Sequence, residues 1–124
     1  MSDPTATALA FWAAAEARDW SAFGALLADD VVYELPQSRE RIRGKATYLR
    51  FNVEYPGEWQ LTVRRVVGER GQAATWCDFV TDGEPGEALT FFEFGETGLI
   101  TTITEFWPEP YDPPPGREHL VERF

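Results

Sequence analysis

From residue 59 to residue 107 the chain carries the period of a β-strand four times over. The spans 59–68, 72–81, 88–94 and 99–107 alternate bulky and polar residues. The gaps hold turn formers: Glu69-Arg70-Gly71, Asp82-Gly83-Glu84-Pro85-Gly86 and Gly95-Glu96-Thr97-Gly98. Gaps this short join only antiparallel neighbours, so this part of the chain is committed to a meander. Such a sheet must bury one of its faces against something else.

The N-terminal part supplies the cover. Ser2 or Asp3 can cap a helix whose first turn accepts Pro4, and the Ala-rich stretch to about Arg18 continues it. Ala8, Phe11, Trp12 and Ala15 form its apolar stripe. Asp19 caps a short second helix, with Trp20, Phe23 and Leu27 at helical spacing. The run from Asp30 to Leu35 reads as a strand that Pro36 stops, and a polar, Arg-rich loop follows from Gln37 to Arg43. After Gly44 a third helix runs to about Tyr55, with Ala46, Leu49 and Val53 on one face, and Pro56-Gly57 ends it. The tail from Pro108 to Phe124 contains Pro113-Pro114-Pro115 and cannot be a central strand; Arg117 to Phe124 is expected to form a short amphipathic helix docked on the body.

The expected fold is α+β: a cone-shaped barrel in which three N-terminal helices pack in a strongly curved, mostly antiparallel sheet. Residues 1–107 make one domain, and 108–124 a Pro-rich tail packing on it. A curved sheet around helices leaves a conical cavity, and the aromatic content, 15% of residues, is enough to line it.

Charge and cysteine usage exclude several functions. The formal net charge of −10 repels phosphate backbones and anionic membranes, so neither nucleic acid nor membrane is an expected partner. Cys77 is the single cysteine and His119 the single histidine, so a zinc site of the Cys/His kind cannot be assembled and no metal or cofactor is expected. The start lacks the basic-then-apolar pattern of a signal peptide, so the cytoplasm is the expected location.

Three stretches carry a family resemblance: Ala14 to Asp30 running into Val31-Val32-Tyr33-Glu34, Arg43-Gly44-Lys45-Ala46 opening the third helix, and the terminal hairpin from Phe92 to Ile100. Their order resembles the nuclear transport factor 2-like superfamily, particularly its SnoaL-like branch. That fold hosts isomerases, cyclases, hydrolases, dehydratases, transport factors and plain binders, so the resemblance implies a fold more than an activity. The ketosteroid isomerase pattern places Phe11, Leu35 and Thr90 where a Tyr, a base and an acid are expected. The limonene epoxide hydrolase pattern matches Tyr33, Asp78 and Glu105, with Leu35 in place of an Asn and Trp76 in place of the central Arg. Polyketide cyclases of the SnoaL type use an Asp with a His nearby, and the only His here is His119 in the tail. The resemblance also implies a homodimer across the outer face of the sheet.

Strand parity selects candidate cavity walls. Tyr33 and Leu35, then Trp76, Asp78 and Val80, then Thr90, Phe92 and Phe94, then Ile103, Glu105 and Trp107 are expected to face inward. Thr75, Cys77, Phe79, Phe91, Glu93, Thr102, Thr104 and Phe106 are expected on the outer face. Asp78 and Glu105 then become an acid/base pair with Tyr33 as hydrogen-bond donor. Phe11, Leu35, Trp59, Trp76, Thr90, Phe92, Ile103 and Trp107 are the candidate ligand-binding residues. The implied ligand is a small apolar or partly polar molecule. Each of these residues has a purely structural alternative: Asp78 paired with an Arg, Glu105 sealed by hydrogen bonds, the tryptophans as core filling. Arg39, Arg41 and Arg43 are a basic cluster expected beside the cavity mouth.

Overall fold

A computed structural model describes residues 3–124. Ser2, one of the two expected caps, lies outside the described residues. The order of elements is α1 (Pro4–Ala17), α2 (Trp20–Ala25), β1 (Leu27–Leu35), β2 (Glu40–Arg43), α3 (Lys45–Val53), β3 (Trp59–Glu69), β4 (Gln72–Thr81), β5 (Glu84–Phe94) and β6 (Ile100–Phe106). The Asp3 carboxylate accepts from the backbone N–H of Thr5 and opens α1; the Asp19 carboxylate accepts from that of Ala22 and opens α2.

The strands form one sheet in the order β2-β1-β6-β5-β4-β3. The meander β3 to β6 is antiparallel throughout, and β1 lies parallel to β6. The sheet is mixed and not closed, with β2 and β3 as its edges, and its curvature gives the expected cone shape around the helices. The turn between β4 and β5 is tighter than the sequence suggested. Asp82 and Gly83, with φ of 50° and 84°, make a two-residue hairpin, and β5 begins at Glu84.

Two segments differ from expectation. Within the polar, Arg-rich loop expected from Gln37 to Arg43, residues 40–43 pair with β1 as an edge strand (Val32 opposite Arg43, Leu35 opposite Glu40). An edge strand exposes both faces and needs little apolar content. The tail has no helix at 117–124; a single turn closes from Leu120 N–H to the Arg117 carbonyl at 3.0 Å. Leu120, Val121 and Phe124 are exposed there, so no apolar contact stabilises a helix.

The core lies between α1, α2 and the concave face. Phe11, Phe23, Leu27, Val31, Phe92, Ile100 and Ile103 are almost wholly buried. Phe11 is its centre, with ring centroids 4.5 Å from Phe23, 4.8 Å from Trp12 and 5.0 Å from Phe92. No helix among the described residues is long and apolar enough to cross a membrane.

Candidate functional site

The concave face carries a buried carboxylate. β1 and β6 run parallel with Tyr33 opposite Ile103, and β5 brings Thr90 opposite Glu105. Period-2 alternation points Tyr33, Thr90 and Glu105 to the same side. The Tyr33 hydroxyl donates to Glu105 Oε1 at 2.6 Å and the Thr90 hydroxyl donates to Oε2 at 2.6 Å. Glu105 is 6% exposed, Tyr33 3% and Thr90 0%.

Burial is the dominant influence on this carboxyl. It pushes the Glu105 pKa above the usual carboxylate range, against the opposing pull of the Thr90 and Tyr33 donors and a contribution from Trp107. The Tyr33 phenol is pushed far up, first by burial and then by the Glu105 charge, so it stays protonated and acts only as a donor toward the carboxylate. Burial, then the Glu105 charge, raises Tyr48 likewise.

Glu105 forms part of the wall of a cavity between sheet and helices. Tyr33, Phe79 and Trp107 line it from the sheet, Trp12, Ala15 and Phe23 from α1 and α2, and Tyr48, Phe51, Asn52 and Tyr55 from α3 and its end. Its volume is about 40 Å3, room for a water or two and not for a bulky ligand unless a wall moves. Trp107 is fixed in place by Gln37, whose side-chain amide accepts from the Trp107 N–H at 2.5 Å and donates to its carbonyl at 3.0 Å. Gln37 thereby continues, with a side chain, the pairing of β6 past the end of β1.

The candidate residues separate into three groups. Tyr33, Glu105, Trp59 and Trp107 line the cavity, and Thr90 touches Glu105 from the sheet. Phe11, Phe92 and Ile103 are buried in the core away from the cavity, and Leu35 sits half-buried near the end of β1. Asp78 and Trp76 are on the opposite face.

That last placement corrects the strand's assigned parity. On β4 it is Ala73, Thr75, Cys77 and Phe79 that are buried. Close packing of α1 requires small residues there: the Trp12 indole donates to Thr75 Oγ1 at 2.9 Å. Trp76, Asp78 and Val80 face out. Asp78 accepts from Arg64 Nε at 2.9 Å and Nη2 at 2.5 Å, and the Arg64 guanidinium lies 4.3 Å from the Trp76 ring centroid. Arg64 reaches them because β3 has a register shift between Val63 and Arg65. Asp78 and Glu105 are therefore on opposite faces and cannot act as an acid/base pair on one ligand. The basic cluster is also away from the cavity: Arg41 pairs with Glu34 at 2.5 Å, and none of Arg39, Arg41 and Arg43 lines it.

The α3 contribution was missed. Its cavity face is Tyr48, Phe51, Asn52 and Tyr55, whereas Ala46 and Val53, assigned to the apolar face, are exposed and Leu49 is half-buried. The signal was present, since positions 48, 51, 52 and 55 recur at helical spacing and three are aromatic. No group of three or more potential metal-ligating side chains is found among the described residues.

A family model described as a SnoaL-like domain matches residues 8–103. The chain belongs to the SnoaL-like domain family. Its fold is that of nuclear transport factor 2-like proteins. A candidate ketosteroid isomerase from Kribbella flavida DSM 17836 is 50% identical over 98% of this SnoaL-like chain and 89% of its own, with a TM-score of 0.94. An NTF-2 like protein of unknown function from Burkholderia xenovorans LB400 is 28% identical over 96% of this chain and 93% of its own, with a TM-score of 0.82. An LEH-like epoxide hydrolase from M. tuberculosis shares the fold at 20% identity, covering 85% of this chain and 82% of its own, with a TM-score of 0.69. No curated protein sequence matches the chain.

Proposed function

We propose that this SnoaL-like domain binds a small, mostly apolar molecule in the cavity and moves a proton on it with Glu105. The observation that carries the reading is a desolvated carboxyl forming part of a cavity wall, held by Tyr33 and Thr90. Burial raises the pKa of this carboxyl, which makes its ionised form a stronger base than an exposed carboxylate. With Asp78 outside, the chemistry that fits is one that a single carboxyl completes. The carboxylate removes a proton from the carbon beside a carbonyl, the electron pair moves to the carbonyl oxygen as an enolate, and the same proton returns at a conjugated carbon. The product is an isomer, so no water, metal or redox group is consumed. Tyr48, Asn52 and Tyr55 are among the cavity residues that can donate to the enolate oxygen. The likeness to a candidate ketosteroid isomerase supports the isomerase class. The volume of about 40 Å3 favours a small ketone over a steroid unless the walls open.

The test is conversion of cyclohex-3-enone to its conjugated isomer, followed by ultraviolet absorbance. Glu105→Gln removes the base and keeps hydrogen-bond partners for Tyr33 and Thr90. Loss of a hundredfold or more, the usual worth of general base catalysis, is expected of that variant. Equal rates in both proteins, with both folded, refute proton transfer by Glu105.

A second reading has its own observation. Both Glu105 oxygens already have an internal donor, which suits a noncatalytic binding or dimerisation domain with a structural carboxylate. In that case cyclohexenone is not turned over and only the melting temperature responds to Glu105→Gln. We also propose a homodimer through the outer face, where Val67, Val80 and Phe91 are exposed. Sedimentation equilibrium of Phe91→Glu against the wild type tests it.

A further inference from the structure

Beside the cavity lies a surface groove of about 480 Å3 between the ends of α1 and α3 and the start of β3. Asn52, Tyr55 and Trp59 line both spaces. Trp59 is held down from the groove side. Arg18, the C-cap of α1 in the left-handed region (φ 58°), lays its guanidinium 3.4 Å from the Trp59 ring centroid. The same guanidinium donates to the carbonyls of Ala15 at 3.1 Å and Glu16 at 2.9 Å and to that of Trp59, and pairs with the Glu16 carboxylate at 3.6 Å. Arg18 is thus committed to protein partners, and the remaining charges in the groove, Glu16 and Glu58, are acidic.

We propose that this groove is the outer half of the ligand site, with Trp59 clasped by Arg18 as the movable partition between it and Glu105. The outer half takes the larger part of a ligand that is uncharged or cationic there, while its small oxygen-bearing end passes the partition to reach Tyr33 and Glu105. Three arguments converge on this arrangement. The inner space is too small for more than a ligand's tip, and the adjoining groove is about twelve times larger. The rings of Trp20, Tyr55 and Trp59, with the one amide of Asn52, suit an uncharged, mostly apolar body. Acidic residues around an already paired arginine, on a chain of net charge −10, turn away anions. The inference rests on the reading of Glu105 as ligand-facing.

The partition is tested without a ligand. The Tyr33 hydroxyl proton, hydrogen-bonded and shielded, exchanges with water only when the wall opens. Arg18→Ala is expected to speed that exchange about tenfold, the scale of one lost cation–π contact with its hydrogen bonds. Backbone amides of Cys77 and Ala88 at the sheet centre should keep their wild-type rates. Unchanged Tyr33 exchange overturns the partition; equal acceleration at Cys77 and Ala88 overturns it too, because Arg18 is then only a structural stitch.

The ligand class is tested by NMR with tyrosol, tyramine and 4-hydroxyphenylacetate, which share a phenol end and differ in tail charge. Tyrosol and tyramine should shift both Trp59 and Glu105, and the anion should bind about fivefold more weakly, the effect of one nearby like charge in a water-like dielectric. Equal binding of the anion overturns the class. Shifts at Glu105 with Trp59 and Tyr55 silent overturn the outer half and leave the Glu105 reading standing. Shifts at Trp59 with Glu105 silent, in Arg18→Ala as well, refute the ligand-facing carboxyl itself. No binding by any probe to either protein refutes the groove as a ligand site.

Discussion

Replacing Glu105 by Gln and by Leu separates the cost of burying its charge from the value of its hydrogen bonds. Gln keeps both contacts: its carbonyl accepts from Tyr33 and its amide donates to the Thr90 oxygen, because either hydroxyl can rotate. Leu removes both and leaves two buried hydroxyls without a partner, at about 1–3 kcal/mol each. Glu105→Leu should therefore be about 2–6 kcal/mol less stable than Glu105→Gln. For a domain this size that is a melting difference of roughly 10–25 °C. The wild type adds a pH dependence. Its folded carboxyl has a pKa above the unfolded value of about 4.3, so the native state binds the proton more tightly. Its stabilising contribution is fully present below the unfolded value and is lost as pH rises through the folded one. The advantage of Gln over the wild type should grow with pH across that window, by at most about 1.4 kcal/mol per pH unit, and then level off. Urea denaturation of the three proteins over a pH series provides the measurement. Parallel stability curves for wild type and Glu105→Gln would refute the desolvated carboxyl. Equal stability of the Gln and Leu variants would show that Tyr33 and Thr90 do not depend on it.

Three further outcomes follow from the same structure. Gln37→Ala removes both clamps on the Trp107 backbone and should cost about 1–2 kcal/mol, and it should change the carboxyl titration of Glu105 seen by carbon NMR, which a remote surface substitution would not. Asp78→Asn should cost no more than about 1 kcal/mol in denaturant unfolding and leave the Glu105 titration untouched, since its partner Arg64 is on the outer face and half exposed. The Cys77 thiol, wholly buried and pushed up to about 12, holds only about one part in ten thousand as thiolate at pH 8; a disulfide reagent should label it only when the chain unfolds, and rapid labelling of the native protein would contradict its placement.

What the sequence disclosed follows from how strongly each residue is constrained. Asp3 and Asp19 announced helix starts because a carboxylate before a helical run has few other uses. Tyr33, Thr90 and Glu105 share a face because the pairing is continuous through them, from Val32 to Glu34 on β1 and from Leu89 to Glu93 on β5, with the register shifts falling outside those stretches. β4 misled because both of its faces mix small, polar and aromatic residues. Only the approach of α1, which has room for Thr75 and Cys77 but not for Trp76, selects between them, and that contact is tertiary. The α3 stripe was readable at positions 48, 51, 52 and 55 but competed with an equally spaced aliphatic set. β2 could not be found by pattern, because pairing with β1 and not burial makes it a strand.

The parallel contact between β1 and β6 has a consequence for how the protein is made. Tyr33 waits for a partner 72 residues further along the chain, so the inner sheet cannot close before β6 has left the ribosome. Until β6 emerges, the bulky side chains of the first strand and of α1 have no finished surface to settle on, and the nascent chain is exposed to aggregation over that interval. A premature stop shortly before residue 100 would leave a product without the strand that joins the two halves of the sheet.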